Sequence, residues 1–580
     1  MTRLASRPGT SFGSYEGSVK TRPGLQFTER MAGYFLLGAT DYRRGWAEGK
    51  AHGSTMRFVL TIHIPDLEAM LGDPEHRAEI VGVMECSALS AHPLTVRAGE
   101  FRMLAIDPDQ VGTREMLYTM ALTSVEGQRY QLRGRKVVHD DPGFDLWADT
   151  TTLSVDVCAD DGCSGAEIGR GILRIKPFDL VRLLSSLRVT NARTASEKLR
   201  ARAAFARFFA GTLHDTYGGV LARASVRDLR ALPREKRVLN LPAPEVRFFT
   251  TDDGVRLRLT RFRGGAKGPV MLVAGMGTTS LTFTVDTIDV NVAEFLCSQG
   301  YDVWLFDYRA SPALPVVREQ FSLDDIALKD YPAAIREVRS VSGADSIQVI
   351  AHCVGSATLL MSLAAGRATG VRSAICSQFT LHFITTPLLR LKAALHLGSL
   401  LTRLGIHLLN ARYDSSAAWK DRLAEVVLRL YPVYRGERCN SPVCRRIRFI
   451  YGETFQHRAL NRETHRLLYE VFGEANLTIM QHLSTVIRKG HLVDSFGRDS
   501  YLPHLGRLAI PITFLQGAHN RIFLPEGSKK TWQLLSEENG RELYELKCFP
   551  EYAHMDLFIG KNAHREVFPY LVEQLDKYNP

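Results

Sequence analysis

From Met56 to Ile64 every second residue is apolar, so Met56, Phe58, Leu60, Ile62 and Ile64 share one face. That period of two predicts a half-buried β-strand. Met116, Tyr118, Met120 and Leu122 repeat the pattern and lead through Glu126-Gly127 into Tyr130-Gln131-Leu132, which predicts a hairpin. Further strands are expected around 100–106, 153–157 and 171–176. Two strands run into Pro65-Asp66-Leu67 and Pro177-Phe178-Asp179, each placing an aspartate near the start of a short helix. Many strands at close spacing predict an antiparallel barrel or curved sheet. The period changes at Leu199, Ala203, Ala206 and Phe209, which form a helical stripe, and Thr194 with Glu197 has capping-box spacing.

Three prolines and several charges over 229–244 interrupt both patterns and predict a linker. Beyond it, Val246–Thr250 and Val255–Arg261 flank Asp252-Asp253-Gly254 as a second hairpin. Val270–Ala274, Asp302–Phe306 and Ser346–Ala351 are short continuous apolar runs separated by helical stretches such as Val290–Gln299 and Asp325–Val341. Buried strands alternating with helices predict a parallel sheet with crossover helices, hence an α/β domain. The expected organisation is a disordered lead-in at 1–26, a β-rich barrel-like domain with a terminal helix at 27–228, the linker at 229–244, and the α/β domain at 245–580.

Composition narrows the partners. The 580 residues carry 45 % hydrophobic and 23 % charged side chains, an ordinary globular balance, with a net charge of +11. The basic residues are spread along the chain and form no block interleaved with aromatics, so nucleic acid is not expected as a partner. The N-terminus lacks the apolar core of a secretory signal, and no apolar run approaches the about 20 residues of a membrane span. The nine cysteines lie mostly in apolar runs, which suits reduced thiols and a cytoplasmic location. Cys158/Cys163 and Cys439/Cys444 share a C-x4-C spacing. Without tighter spacing or nearby histidines they read as unrelated core or loop cysteines, and no metal is expected.

The chemistry concentrates at Ala351-His352-Cys353-Val354-Gly355, where a buried strand runs into a helix beginning at Ser356. This is the pattern of a nucleophile elbow with cysteine in place of serine. A nucleophile on so sharp a turn needs small neighbours two residues away, and Ala351 and Gly355 provide them. The helix N-terminus is expected to lower the thiol pKa. The backbone N–H groups of Val354 and of Met276, in the loop Gly275–Ser280, are expected to form the oxyanion hole. His554, after the strand-like 542–549, occupies the position of the base, while His352 is expected to point elsewhere on the turn. The acid position after Ile512–Gln516 holds Asn520. Two accounts stay open: Asn520 accepts a hydrogen bond from His554 through its side-chain oxygen, or Asp494 supplies a carboxylate.

These motifs, with Gly300–Arg309 and His554–Gly560, resemble cysteine-nucleophile α/β-hydrolases, a group that includes polyhydroxyalkanoate synthases and dienelactone hydrolases. The resemblance is closer to bacterial hydrolase regions joined to cholesterol-oxidase-like flavoprotein oxidoreductases, which implies such a flavoprotein as a partner. No G-x-G-x-x-G follows a strand, so no dinucleotide cofactor is expected. Ser356 stands where the polymer synthases have a second glycine, which counts against a polymerase.

Between about 379 and 510 the chain leaves the sheet for a mostly helical insertion, leucine-rich over Pro387–Asn410. It reads as a packed cap helix, or as a lid that lines an acyl pocket or lies on a lipid surface as a peripheral membrane contact. Either places apolar surface over Cys353. The expected activity is hydrolysis of hydrophobic, lipid- or sterol-like esters or thioesters through a Cys353 acyl-enzyme. The alternatives are an acyltransferase using a thioester donor and a non-enzymatic lipid carrier with a degenerate hydrolase fold.

Overall fold

Antiparallel strands close on themselves in the N-terminal part of the chain. A computed structural model describes residues 22–140, 146–159, 166–230, 233–434 and 436–579. Its backbone divides into two units, one ending at Gly218 and the other formed by Asp107–Gly112 with the chain from Gly219 onward. In the first unit the strands are β1 (Gly24–Leu37), β2 (Thr55–Ile64), β3 (Arg77–Cys86), β4 (Leu94–Ile106), β5 (Arg114–Thr123), β6 (Arg129–Val138), β7 (Thr152–Ala159), β8 (Glu167–Arg174) and β9 (Arg188–Thr190). β2 to β8 pair in sequence, and the 14-residue β1 pairs with both β2 and β8, closing the barrel; β9 lies along the start of β1.

Closure follows from β1's length. Leu25–Tyr34 pairs with β2 and Ala32–Leu37 with β8, so one strand serves two neighbours. The alternating residues Met56, Phe58, Leu60, Ile62 and Ile64 all lie inside. Side chains fill the interior, as eight strands allow, and Phe101 packs 4.7 Å from Tyr118. One buried ion pair interrupts this core. Lys136 Nζ lies 2.6 Å from Glu29 Oε1, and Tyr118 donates to the other Glu29 oxygen at 2.8 Å, so the buried carboxylate is fully partnered. The capping box at Thr194 and Glu197 is present, and its helix (Ala195–Tyr217) packs Phe205, Phe208 and Phe209 on the barrel core. Residues 1–21 of the expected lead-in and Cys163 lie outside the described residues. The strand already begins at Gly24, inside the segment read as lead-in.

The second unit is built on β10 (Glu245–Thr250), β11 (Arg256–Arg263), β12 (Lys267–Val273), β13 (Tyr301–Asp307), β14 (Ile347–His352), β15 (Val371–Ser377), β18 (Ile512–Gly517) and β19 (Tyr544–Phe549). They are ordered β10-β11-β13-β12-β14-β15-β18-β19, with the first two antiparallel and the rest parallel. This is the sheet of an α/β-hydrolase. β13, β14 and β18 are buried along their whole length, which is why they are largely apolar and show no alternation of polar and apolar faces.

Residues 378–511 leave the sheet between β15 and β18. They carry about half of their length as helices, with a short ribbon of β16 (Leu408–Asn410) and β17 (Glu474–Asn476). The leucine-rich stretch expected as one cap helix is two, Pro387–Ala394 and Leu397–Arg403, broken where His396 adopts a left-handed φ of 49°. Among the described residues no helix is long and apolar enough to cross a membrane.

Candidate active site

β14 ends in a backbone conformation that few side chains tolerate. Cys353 has φ 55° and ψ −125°, and the helix Val354–Ala364 starts at the next residue. A non-glycine residue at positive φ costs of order 1–3 kcal/mol and persists only where its surroundings force it. Two glycines make room for it. A Cβ on Gly355 would lie 2.7 Å from the carbonyl oxygen of Ala274, and one on Gly275 would lie 3.1 Å from the Cβ of Cys353. Without those Cβ atoms the loop after β12 comes against the sulfur, so the N–H groups of Val354 and Met276 lie near enough to Cys353 to favour its thiolate.

His554 follows β19 on a turn that Gln378 holds in place. The Gln378 amide donates to the carbonyl oxygens of Ala553 at 2.8 Å and His554 at 3.0 Å. Asn520, in the loop after β18, is fixed at both ends of its amide. Its Oδ1 accepts the N–H groups of Ile522 (3.0 Å) and Phe523 (3.1 Å). Its Nδ2 donates to Gln378 Oε1 at 2.7 Å and lies 3.2 Å from His554 Nδ1. Flipping the amide would set its NH2 against two backbone donors, so the network fixes the orientation. The expected bond therefore runs the other way: Asn520 donates to His554 rather than accepting from it. That leaves the resting proton of the neutral ring on Nε2.

Burial dominates the electrostatics. It holds His554 well below the ordinary histidine range, and the neighbouring His352 adds to this. It also pushes the Cys353 thiol up to about 12, outweighing the two N–H groups that favour the thiolate. The expectation of a thiol acidified by its helix is thereby corrected. The resting pair is a thiol and a neutral imidazole.

Two further readings are revised. His352 does not point away: its ring lies 4.6 Å from that of His554, and both line one cavity. Its Nδ1 meets Ser377 Oγ at 3.3 Å, while its buried Nε2 has no protein partner. Asp494 is not brought to the site. Its carboxylate is consumed within its own loop by Arg498, by Ser500 Oγ at 2.8 Å and by the N–H of Phe496 at 3.0 Å.

The cavity over Cys353 has a volume of about 130 Å³. Met276, His352, Cys353 and His554 line one side, and the insertion supplies Phe383, Leu389, Leu401, Phe449, Phe472, Met480 and Leu483 on the other. Tyr451 enters beside Gly277, where a Cβ would lie only 1.8 Å from the phenol oxygen, and this buried hydroxyl has no protein partner. Among the described residues Lys392 is the one lysine or arginine of the wall; burial draws its pKa down to about 8. Gln378, His352 and Tyr451 carried no sequence signal, because each reaches the site through tertiary packing. Cys439 and Cys444, set aside as unrelated, also meet in space together with His457 and His465.

By its sheet order the second unit has the α/β-hydrolase fold, and lipases are among the sequences that the chain resembles. No family model matches. The chain is 24 % identical to a probable lipase of Schizosaccharomyces pombe over 376 residues, 57 % of this chain and 75 % of the lipase. It is 21 % identical to lipase member K of Homo sapiens over 364 residues, covering 57 % and 86 %. Against the poly(3-hydroxyalkanoate) polymerase subunit PhaC of Haloferax mediterranei it is 25 % identical over 289 residues, 48 % and 53 % of the two chains. An esterase structure from Pyrococcus furiosus aligns at 13 % identity with a TM-score of 0.35, covering 61 % of this chain and 97 % of that one.

Proposed function

We propose that the chain hydrolyses carboxylic esters or thioesters of hydrophobic acyl groups through an acyl-enzyme on Cys353. The observation that carries this reading is the convergence of two backbone N–H groups on a strained cysteine that faces an apolar cavity with His554. Once the His554 ring has passed to the tautomer protonated on Nδ1, Cys353 Sγ attacks the carbonyl carbon as its proton passes to His554 Nε2. The N–H groups of Val354 and Met276 move from the sulfur to the new oxyanion. His554 then protonates the departing alcohol or thiol, leaving a thioester on Cys353. Water attacks that thioester with His554 as base, releasing the acid and restoring the thiol. The unpartnered Tyr451 hydroxyl and His352 Nε2 offer polar contacts to the ester group. A thiol suits the site because attack needs the His554 tautomer that Asn520 disfavours, and a thiol gives up its proton more readily than a hydroxyl.

On this reading the 378–511 insertion is a lid. Leu395, Leu404, Trp419, Leu423, Val427 and Leu430 on it are exposed, which fits contact with a lipid surface. Transfer to an acceptor other than water would use the same acyl-enzyme, and the likeness to a polymerase subunit favours testing it.

p-Nitrophenyl esters of increasing chain length, assayed with and without thiol acceptors, test the reading. Each methylene that enters the cavity is expected to raise kcat/KM by up to roughly fourfold. Mass spectrometry after acid quench should find the acyl group on Cys353. Turnover without an adduct there, or no dependence on chain length, would reject it.

The pH profile follows from the site's burial. His554 works as a base only when neutral, and a pKa held below the ordinary 6.5 keeps it neutral to lower pH. The acid limb of kcat/KM, which reports the free enzyme, is therefore expected below pH 6.5. No alkaline limb from the thiol is expected short of about 12. An acid limb centred above 6.5 would show that His554 is held charged.

A further inference from the structure

Four metal-ligating side chains meet away from the catalytic residues. Cys439 Sγ, Cys444 Sγ and one ring nitrogen each of His457 and His465 all lie within 4.8 Å of one another. Cys439 Sγ stands 3.6 Å from His465 Nε2, and Cys444 Sγ stands 3.5 Å from His457 Nε2. With Zn–S near 2.3 Å and Zn–N near 2.0–2.1 Å, the sulfur-to-nitrogen edge of a tetrahedral site is about 3.6 Å. Both of these distances match it. We propose that Cys439, Cys444, His457 and His465 bind a structural zinc ion.

The surroundings are those of a ligand set. Glu437 Oε2 lies 2.6 Å from His457 Nδ1 and accepts the His457 backbone N–H at 3.0 Å, so the proton sits on Nδ1 and the Nε2 lone pair faces the sulfurs. The buried Arg448 reaches to 3.8 Å from Cys444 Sγ, placing positive charge beside a thiolate. Cys444 and His457 are buried and His465 is nearly so. Two thiolates neutralise a divalent ion, and a mixed sulfur and imidazole set suits zinc. All four positions come from the protein, which marks a closed structural site rather than a catalytic one.

The spacing is C-x4-C-x12-H-x7-H. It ties the loop at Cys439 and the helix Pro442–Tyr451 to the turn His457–Ala459 and the helix Arg462–Val471. Between the second and third ligands lie Phe449, Ile450, Tyr451 and Thr454, all on the cavity wall. The ion would thus fix one wall of the pocket. This holds whether or not the chain is an esterase, and its test needs no activity.

The full chain, purified without chelator under reducing conditions, should carry about one zinc per molecule by elemental mass spectrometry. X-ray absorption at the zinc edge should show two sulfur neighbours near about 2.3 Å and two nitrogens near about 2.0 Å. The Cys439→Ser, Cys444→Ser double variant should lose the ion. A wild-type chain that holds no more zinc than the double variant, even after incubation with zinc, overturns the proposal. So does a zinc edge without sulfur, which decides the matter even if the double variant fails to fold.

Discussion

Replacing Cys353 with alanine is expected to lower acyl turnover by roughly 10⁴- to 10⁶-fold, the scale on which hydrolases lose rate with their nucleophile. The change removes one sulfur atom and keeps the Cβ, so the backbone at φ 55° is no more strained than before. Circular dichroism and Tm should stay near wild type. Serine is the sharper probe. A hydroxyl at this position would meet the same two N–H groups but would need a stronger base than the neutral His554, whose ring has only an amide beside Nδ1. Cys353→Ser is therefore expected to retain no more than about a hundredth of wild-type kcat/KM. An alanine variant with undiminished turnover would remove Cys353 from the reaction. A serine variant with near wild-type rate would mean that His554 is supported by a group other than Asn520.

The elbow was legible because several local demands coincide in one short stretch. A buried strand, small residues at 351 and 355, and a helix start together mark a sharp turn at Cys353. Val354 was named from the elbow itself and Met276 from the loop that follows the strand Val270–Ala274. What escaped depends on residues far apart in sequence. Asn520 was placed correctly in its loop, yet its amide faces the opposite way, because the loop turns back and offers it the N–H groups of Ile522 and Phe523. Gln378, which anchors that amide, is 142 residues from Asn520 and 175 from Ala553. The strand β1 was hidden because the charged Glu29 stands on its inward face between Leu25, Phe27 and Met31, where Lys136 and Tyr118 partner it. Cys439 and Cys444 looked unrelated because His457 and His465 reach them only after the helix Pro442–Tyr451 and a turn have folded the segment back.

Asn520→Asp is expected to accelerate acylation by roughly ten- to a hundredfold, a gain of function at a residue that touches no substrate. Converting the aspartate of a Ser-His-Asp triad to asparagine costs about 10⁴ in kcat because the histidine is held in the wrong tautomer. Here the asparagine is native, and its Nδ2 lies 3.2 Å from His554 Nδ1. An ionised oxygen in place of that nitrogen would accept the Nδ1 proton and free Nε2 to take the proton of the thiol. It would also stabilise the imidazolium, raising the pKa that burial now holds below 6.5. The gain should fall short of the full 10⁴ for a specific reason. Gln378 Oε1 stands 2.7 Å from the position of the new oxygen, and the Gln378 amide cannot turn without losing its bonds to Ala553 and His554. The signature is paired: a faster single-turnover acylation and an acid limb displaced to higher pH. Asn520→Ala, which supplies no acceptor, should show neither. If Asn520→Asp is no faster than wild type and leaves the acid limb where it was, Asn520 does not hold the acid position of this site.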